Sequence, residues 1–506
     1  MKENTSKRMG ECRGMTGIAA ICLWVLAGCT VGPRYVVPED SAPSAFKEAA
    51  PTAYGAAPPG TWAPAQPQDT LLKGKWWEIF QEPELNALEE QLNIDNQNIA
   101  QYFQNFMAAR AQVREARADY FPTATLTPAA TRTGTGALAE SAATGSGGTV
   151  GGSTAHGITT ANDFSLPFDV SWEPDLWGRI RNAVREYRAA AQVSAADLEN
   201  ERLTEQADLA AYYFEVRGQD ALQDLYDRTV AADRESLGLT RALLETGIDG
   251  AEAVAAAEVT LENAEATAVG VATNRAVYEH AIATLIGKPA SEFSMPVKLL
   301  STPVPPIPVG VPSQLLQRRP DIAAAERAMA QANALIGVEK AAYYPTLNLT
   351  GSGGVQSPAI AQLFSVPALF WSVGASASET IFDGGLRKAT TAQYTANYNA
   401  DVAAYKQTVL TAFQQAEDGM ATLRVTSQQI MKQDAAVRSA QRYVDIATAR
   451  YQTGLDPYLN VITAQMILLS DQQTLITLRV SEMAAAVQLI QALGGGWTVA
   501  QLPLVK

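Results

Sequence analysis

Reactive side chains are scarce in this chain of 506 residues, which has two histidines and three cysteines. His156 lies in a glycine-rich stretch, and His280 stands beside Glu279 in a segment with helical spacing. No residues have the spacing of a metal site, and no serine has the flanking glycines of a hydrolase nucleophile. We therefore predict a protein that is not an enzyme and has no catalytic residue, metal or cofactor.

Long apolar runs and an excess of basic charge are also missing. After residue 28 there is no run of eighteen apolar residues, so membrane crossing would require a closed β-barrel. The chain has 38 basic and 52 acidic residues; residues 1–28 hold four and two of them, which leaves a net charge of −16. This balance argues against nucleic acid as a partner and suits a solvated periplasmic protein.

The N-terminus has the form of a signal peptide. Four basic residues precede the apolar run Ile18–Ala27, which is too short to span a bilayer. The run ends in Leu26-Ala27-Gly28-Cys29, which resembles the lipobox of bacterial lipoproteins. That resemblance implies cleavage after residue 28, a covalent lipid on Cys29 and, because Thr30 rather than aspartate follows, transport to the outer membrane. A plain secretory signal with an incidental cysteine is the alternative.

An alternating segment followed by a very long helical pattern dominates the second half. Leu369–Ser378 alternates apolar and small polar residues, which predicts a β-strand, and Asp383-Gly384-Gly385 ends it. Residues 386–451 contain no proline and a single glycine, and at about 1.5 Å per residue such a helix spans about 100 Å. Its apolar residues recur every seven positions, as in a coiled coil: Val402, Val409, Ala416, Leu423, Ile430, Val437, Val444 and Tyr451.

The same unit occurs twice. Tyr120-Phe121-Pro122-Thr123 matches Tyr343-Tyr344-Pro345-Thr346, and Thr246-Gly247 and Ile286-Gly287 match Thr453-Gly454 and Leu493-Gly494. The order and spacing of these matches indicate an internal duplication. The seam of the first copy comprises Leu209, Val216, Val230, Leu237 and Leu244, with Gln223 in one place.

Two further alternating segments, Tyr120–Thr131 and Phe164–Glu173, flank a glycine-rich loop. Each is long enough for a membrane strand of about ten residues with one lipid-facing side, although an edge hairpin over a soluble core has the same pattern. Helices are predicted at 85–118, 178–244, 250–286, 320–342, 386–451 and 457–493. Arg318-Arg319 could form an anion site, but Pro320 and Asp321 favour a helix start.

These patterns divide the chain into six parts. A signal peptide (1–28) precedes an extended segment that enters an equatorial belt (29–84). The first repeat (85–287) and the second repeat (313–493) each contain a helix, a β-hairpin, a long helix and a further helix. A proline-rich linker (288–312) and a C-terminal tail (494–506) join the belt.

The motifs together resemble the TolC-like outer membrane factor family, in particular its OprM/NodT-type lipoprotein branch. The residues that carry this resemblance are Gly28-Cys29-Thr30-Val31-Gly32-Pro33 with Tyr35 and Pro38, Trp76-Trp77 with Phe80, Arg318-Arg319-Pro320-Asp321-Ile322 with Ala325-Glu326, Gly337, Tyr344-Pro345, Ile381-Phe382-Asp383-Gly384-Gly385, Tyr451-Gln452-Thr453-Gly454 and Leu493-Gly494-Gly495-Gly496-Trp497. The resemblance covers essentially the whole chain after the signal.

The resemblance implies a mainly α fold with a transmembrane β part. Family members are homotrimers in which each protomer gives four strands to a twelve-stranded barrel and long coiled-coil helices to a periplasmic tunnel. The implied partners are outer-membrane lipid, a periplasmic adaptor protein and an inner-membrane pump, for which we expect the RND type. The implied function is a passive, gated duct that exports drugs or other toxic small molecules.

The resemblance also places a gate and an adaptor contact at the turns farthest from the strands. The adaptor-contacting tip is Thr246, Gly247, Ile248, Thr453, Gly454 and Leu455. The predicted gate or lumen residues are Tyr451, Asn460 and Thr463, which stand at the family's gate positions, together with Asp456, Asp249 and Glu252, which are acids near them in the sequence. Asn460 and Thr463 occupy the family's acidic positions, so a cation-binding acidic ring is in doubt. We predict that Asp456→Arg alters leak far more than Lys432→Glu.

Two other functions fit parts of the sequence. A protein-secretion duct of type I shares the architecture and differs in its inner-membrane partner. A non-conducting, periplasm-spanning coiled-coil lipoprotein explains the heptads and the lipid, but it leaves the alternating segments unexplained.

Overall fold

The computed structural model of the chain describes residues 31–37, 46–48, 74–136, 158–300, 302–307 and 318–496. The predicted signal peptide, Cys29, His156, much of the 29–84 segment and residues 497–506 of the predicted tail lie outside the described residues, as do residues 308–312 of the linker. Seven helices are described: α1 (Pro83–Asp95), α2 (Gln97–Ala118), α3 (Arg179–Glu245), α4 (Ala251–Leu285), α5 (Pro320–Ala341), α6 (Leu386–Gln452) and α7 (Tyr458–Ala492). Five strands are described: β1 (Thr123–Leu126), β2 (Ala129–Gly136), β3 (Ile158–Trp172), β4 (Thr346–Ser357) and β5 (Leu369–Ser378).

The helices of the two halves of the chain have equal lengths, as an internal duplication predicts. Helices α2 and α5 have 22 residues each, α3 and α6 have 67 each, and α4 and α7 have 35 each. The order helix, strands, long helix, helix is therefore repeated with equal helix lengths.

One predicted helix, 85–118, is divided in the structure. Asn96 separates α1 from α2 because its side-chain oxygen accepts a hydrogen bond from the Ile99 backbone amide, as a helix N-cap does. Its amide nitrogen donates to Glu205 and to the Leu285 carbonyl, so tertiary contacts hold the break. The prediction missed the break because the apolar spacing continues through Asn96.

The seam of the second long helix is confirmed. Val409, Ala416, Leu423 and Tyr451 are buried, and the other four seam residues are half-buried. In the first copy Leu209, Val216, Val230 and Leu237 are buried, whereas Leu244, at the end of α3, is 38% exposed. The heptad pattern thus predicts the packed face except in the last turn.

The chain divides into two compact units, and both repeats contribute to each. The strand unit comprises Met1–Val36, Arg110–Ala189 and Ala330–Asn399, and the helical unit comprises Val37–Ala109, Ala190–Met329 and Ala400–Lys506. Spatial units therefore do not coincide with the sequence repeats.

The strand unit contains one antiparallel sheet in the order β1-β3-β4-β5. Strands β1 and β2 lie end to end along β3, with partners Thr123↔Ser171 and Ala129↔Ser165. Thr127 and Pro128 separate them, and proline cannot donate to a ladder. Four strand positions therefore result. On β5 the apolar side chains Leu369, Trp371 and Val373 are 64%, 81% and 81% exposed.

The core of the helical unit contains several aromatic side chains and two residues of the predicted linker. Trp76, Trp77 and Phe80 are buried, and Phe80 packs 5.0 Å from Phe214 of α3. Met295 and Ile307 of the predicted linker belong to the same core.

A buried ion network fastens the linker to α3 and α4. Asp220 accepts hydrogen bonds from Arg217, from Arg275 and from the Lys298 backbone amide at 2.7–3.0 Å, and Arg217 also donates to the Pro296 carbonyl at 2.7 Å. Arg217 and Asp220 are 2% and 1% exposed, and each has a second charged partner, Glu84 for Arg217 and Arg275 for Asp220, so the buried charges compensate one another as a network.

The start of α5 confirms the helix interpretation of the arginine pair. Arg319 donates to Asp321 at 2.6 and 3.0 Å and to the Ala492 carbonyl at 3.1 Å, so its guanidinium is engaged. Within the described helices, none combines the length and apolar character needed to cross a membrane.

Candidate functional site

The predicted site lies at two turns of the helical unit, one between α3 and α4 and one between α6 and α7. The two turns have the same backbone structure. Gly247 and Gly454 adopt φ values of 74° and 70° after α3 and α6, a conformation that glycine enters without strain. The Ile248 amide bonds the Leu243 carbonyl at 3.0 Å, and the Leu455 amide bonds the Arg450 carbonyl at 2.9 Å. This arrangement, a Schellman-type helix end, reverses the chain into α4 and α7.

One hydrogen bond joins the two turns directly. The Tyr451 hydroxyl, at the end of α6, donates to Asp249 Oδ2 at 2.5 Å in the turn after α3. The Gly250 amide donates to Asp249 Oδ1 at 2.9 Å and orients the carboxylate. Burial, and then this hydrogen bond, raise the pKa of Tyr451 to about 12, so the hydroxyl stays a donor at physiological pH.

A second tyrosine, Tyr458 at the start of α7, stands beside the first. Its ring centroid lies 5.1 Å from that of Tyr451, and the two side chains are 4% and 5% exposed. The Tyr458 hydroxyl lies 2.8 Å from Ser236 Oγ on α3. The α3–α4 and α6–α7 hairpins therefore share an apolar cluster with a polar bond on each tyrosine.

A third bond closes the second turn on itself. Arg450 forms a two-point contact with Asp456, with Nε to Oδ2 at 2.6 Å and Nη2 to Oδ1 at 3.0 Å. Hydrogen bonds from Arg450 and, more weakly, from Asn460 lower the pKa of Asp456. Because both ends belong to one hairpin, this pair stabilises the turn and does not join the hairpins.

The remaining predicted residues lie at the surface of the turns. Glu252 and Thr463 are exposed. Thr463 Oγ1 donates to the Leu459 carbonyl of its own helix. Ile248 and Leu455, both in the predicted adaptor-contacting tip, are 66% and 70% exposed.

Asp233 is a buried acid that the sequence reading missed. It is 4% exposed, its Oδ2 has no hydrogen-bond partner among the described residues, and burial raises its pKa to about 6. It lies one turn before Ser236 on α3. Burial raises the pKa of Tyr458, and the negative charge of Asp233 raises it further. Near the two tyrosines there is therefore a carboxyl group, that of Asp233, whose pKa is close to neutral pH.

Some missed residues had a usable signal and others had none. Tyr458 follows Tyr451 by seven positions, which continues the α6 seam across the turn. Asp233 had no clear signal, because Arg234 and Glu235 follow it and the three charged residues together are typical of a solvent-exposed stretch of α3. Arg450 had no signal, because its contact with Asp456 depends on the geometry of the turn.

Across the described ranges, no three histidine, cysteine, aspartate or glutamate side chains are placed to hold a metal ion. His280 lies exposed on α4, away from the turns in sequence.

Comparison with known proteins assigns the fold and the family. The family described as outer membrane efflux protein matches residues 88–288 and 311–495. The probable efflux pump outer membrane protein TtgC of Pseudomonas putida is 31% identical over 486 residues, which cover 94% of this chain and 95% of that protein.

Two solved structures have the same fold. The outer-membrane channel OprN matches with a TM-score of 0.80 and 27% identity and covers 93% of this chain and 100% of its own. The Campylobacter jejuni CmeC outer membrane channel matches with a TM-score of 0.81 at 21% identity, covering 94% and 96%. With both repeats matched and the relatives covered almost end to end, the chain belongs to the outer membrane efflux protein family.

Proposed function

We propose that the chain is the outer-membrane channel component of a tripartite efflux system, a passive gated duct for drugs or other toxic small molecules. Its family membership and its similarity to TtgC and OprN support this function. The energy for export comes from an inner-membrane pump, which we propose to be of the RND type, through a periplasmic adaptor.

We further propose that the working form is a homotrimer in which each copy gives four strand positions to a twelve-stranded barrel. Four positions are too few to enclose a lumen, because about eight strands already pack solid. The exposed Leu369, Trp371 and Val373 support a lipid-facing sheet, because they lie on one face of one strand and a contiguous exposed apolar patch marks an interaction surface. A lipid on Cys29 adds the anchor.

The hydrogen bond between Tyr451 and Asp249 is the observation that supports gating. It holds the two hairpins of each copy together at their turns, and any dilation of the tip that separates the hairpins must break it. The exposed Ile248 and Leu455 beside it offer an adaptor an apolar contact on both turns. Adaptor binding that favours separated hairpins would shift the gate towards the open state.

The test is single-channel conductance of the purified protein in a planar bilayer, together with its mass in detergent. We expect a trimer that conducts poorly, and an Asp249→Ala variant that conducts more because the bond between the turns is lost. Lys432→Glu, at an exposed position on α6, should behave as the unmodified protein.

Two outcomes contradict the proposal. A monomer or dimer without conductance under any condition would exclude a channel and favour the coiled-coil lipoprotein. A wide, permanently open trimer that Asp249→Ala does not change would exclude the turns as the gate.

A further inference from the structure

The first described residues of the chain are fastened to two helices of the strand unit. The Val31 amide donates to the Trp177 carbonyl at 3.1 Å. Asn182 Nδ2 of α3 donates to the Val31 carbonyl at 3.2 Å, and Asn333 Nδ2 of α5 donates to the Pro33 carbonyl at 3.1 Å. Three hydrogen bonds within three residues are more than an unstructured tail would form.

The two asparagines are built for this contact. Asn182 is 4% exposed and Asn333 is 8% exposed, and buried amides need partners. Arg185 donates to Asn182 Oδ1 at 2.9 Å, which leaves the Asn182 nitrogen as the donor that faces Val31.

Glycines allow the close approach. A methyl group on Gly32 would lie 2.9 Å from the Gly337 Cα, and one on Gly337 would lie 2.6 Å from Asn182 Nδ2. Gly337 stands inside α5, where alanine would give a more stable helix. A glycine at this position is therefore explained by the close approach of the Asn182 side chain and of the segment at Gly32, not by the helix.

The contact lies at the junction of helices and strands. The Trp177 carbonyl accepts the hydrogen bond from the Val31 amide. The Trp177 ring stacks on the Tyr344 ring with centroids 4.8 Å apart, and Trp177 Nε1 donates to the Pro345 carbonyl at 2.8 Å. Pro345 directly precedes β4.

We propose that Asn182, Asn333 and Gly337 form a seat for Val31-Gly32-Pro33, and that this seat fixes where the lipid-bearing end of the chain meets the membrane. The seat holds the segment with or without lipid. Its use as a membrane reference rests on the proposed function: the seat lies beside the start of β4, and the predicted lipid acceptor Cys29 is two residues before Val31 in the sequence.

The test is the rate of trypsin cleavage after Arg34, an exposed residue next to the seat, in the full protein in detergent. Gly337→Ala should increase this rate roughly tenfold, because a Val31-Gly32-Pro33 segment displaced from the seat loses its hydrogen bonds together. Gly32→Ala should do the same without changing either helix. Gly270→Ala, inside α4 with open space around it, is the matched control and should cleave at the unmodified rate.

The lipid's part is tested separately with Cys29→Ser produced behind an ordinary secretory leader. Cleavage as slow as in the lipidated protein supports the seat, whereas cleavage as fast as in Gly337→Ala means that the lipid alone holds the segment. Equal rates in Gly337→Ala, Gly32→Ala and Gly270→Ala would also overturn the seat. Conductance tests the proposed function independently, so the two can fail separately.

Discussion

At the residue scale, the two tyrosines of the tip make different hydrogen bonds in the same surroundings. Tyr451 donates to the Asp249 carboxylate, and Tyr458 pairs with the neutral Ser236 hydroxyl. Bonds to charged groups contribute about 1.5–3 kcal/mol and neutral ones about 0.5–1.5 kcal/mol. Tyr451→Phe should therefore raise the open probability of the channel more than Tyr458→Phe, by roughly tenfold. Both variants keep the ring, so single-channel recordings compare only the hydroxyls; equal effects would contradict a latch at Asp249.

Asp233 predicts a pH dependence at the same tip. Its pKa is raised to about 6 from 3.8, so the folded tip favours the protonated acid. The stabilisation is complete below about pH 4 and is lost as the pH rises through about 6, by up to about 3 kcal/mol. Asp233→Asn should remove this loss of stability at high pH, because asparagine stays neutral. Hydrogen exchange of the backbone amides in the two turns should therefore be slower than in the unmodified protein at pH 7, but not at pH 4.

The matched control is Asp227→Asn, an exposed aspartate on the same helix. Exchange rates of each variant are compared with the unmodified protein at the same pH, which cancels the intrinsic pH effect on exchange. A difference at pH 7 that persists unchanged at pH 4 would mean that the Asp233 charge is not responsible.

How much of this site the sequence contains depends on the kind of contact. The resemblance predicts Tyr451, its neighbourhood in the sequence predicts Asp249, and the structure joins the two by a hydrogen bond. Thr463 follows from the resemblance and Glu252 from its place in the sequence, and the structure leaves both side chains exposed. A sequence pattern assigns residues to a turn, but the direction of each side chain depends on the rotation of the helices, which no spacing reveals.

At the element scale, two glycines of α3 should respond to alanine in opposite directions. Around Gly238 there is open space, so alanine should stabilise the helix by about 0.5–1 kcal/mol. A methyl group on Gly218 would overlap Val480 Cγ2 of α7, and overpacking costs about 1–3 kcal/mol. Thermal unfolding in detergent should show a higher Tm for Gly238→Ala and a lower one for Gly218→Ala.

The double variant Gly218→Ala with Val480→Ala tests whether the overlap with Val480 causes the lower Tm. Removing the branched side chain should recover part of the lost Tm if the overlap is the cause. A Gly218→Ala protein as stable as Gly238→Ala would show that α3 and α7 pack less closely than the structure indicates.

The helices were largely predictable, and the reasons are physical. Heptad spacing and turn glycines gave α3, α4, α6 and α7 to within a residue or two, because these features act locally. The break at Asn96 was not predictable, because its partners Glu205 and Leu285 are distant in sequence. Strand β3 begins at Ile158, six residues before its predicted start, because pairing with β2 extends it into a stretch without clear alternation.

At the scale of the whole molecule, the turns of this chain lack two acidic residues that the family resemblance implies. Asn460 and Thr463 stand where the resemblance implies carboxylates, and a trimer with acids there would concentrate like charges that bind divalent cations. Conductance of the unmodified channel should therefore be insensitive to added Mg²⁺. The double variant Asn460→Asp with Thr463→Asp should become sensitive, with conductance falling as Mg²⁺ is added from the side of the turns. Lys432→Glu makes the net charge as negative as the double variant does, but on α6 away from the turns, so it separates a local cation site from general charge. Strong Mg²⁺ block of the unmodified channel would instead assign the constriction to acids already present, Asp249 and Asp456.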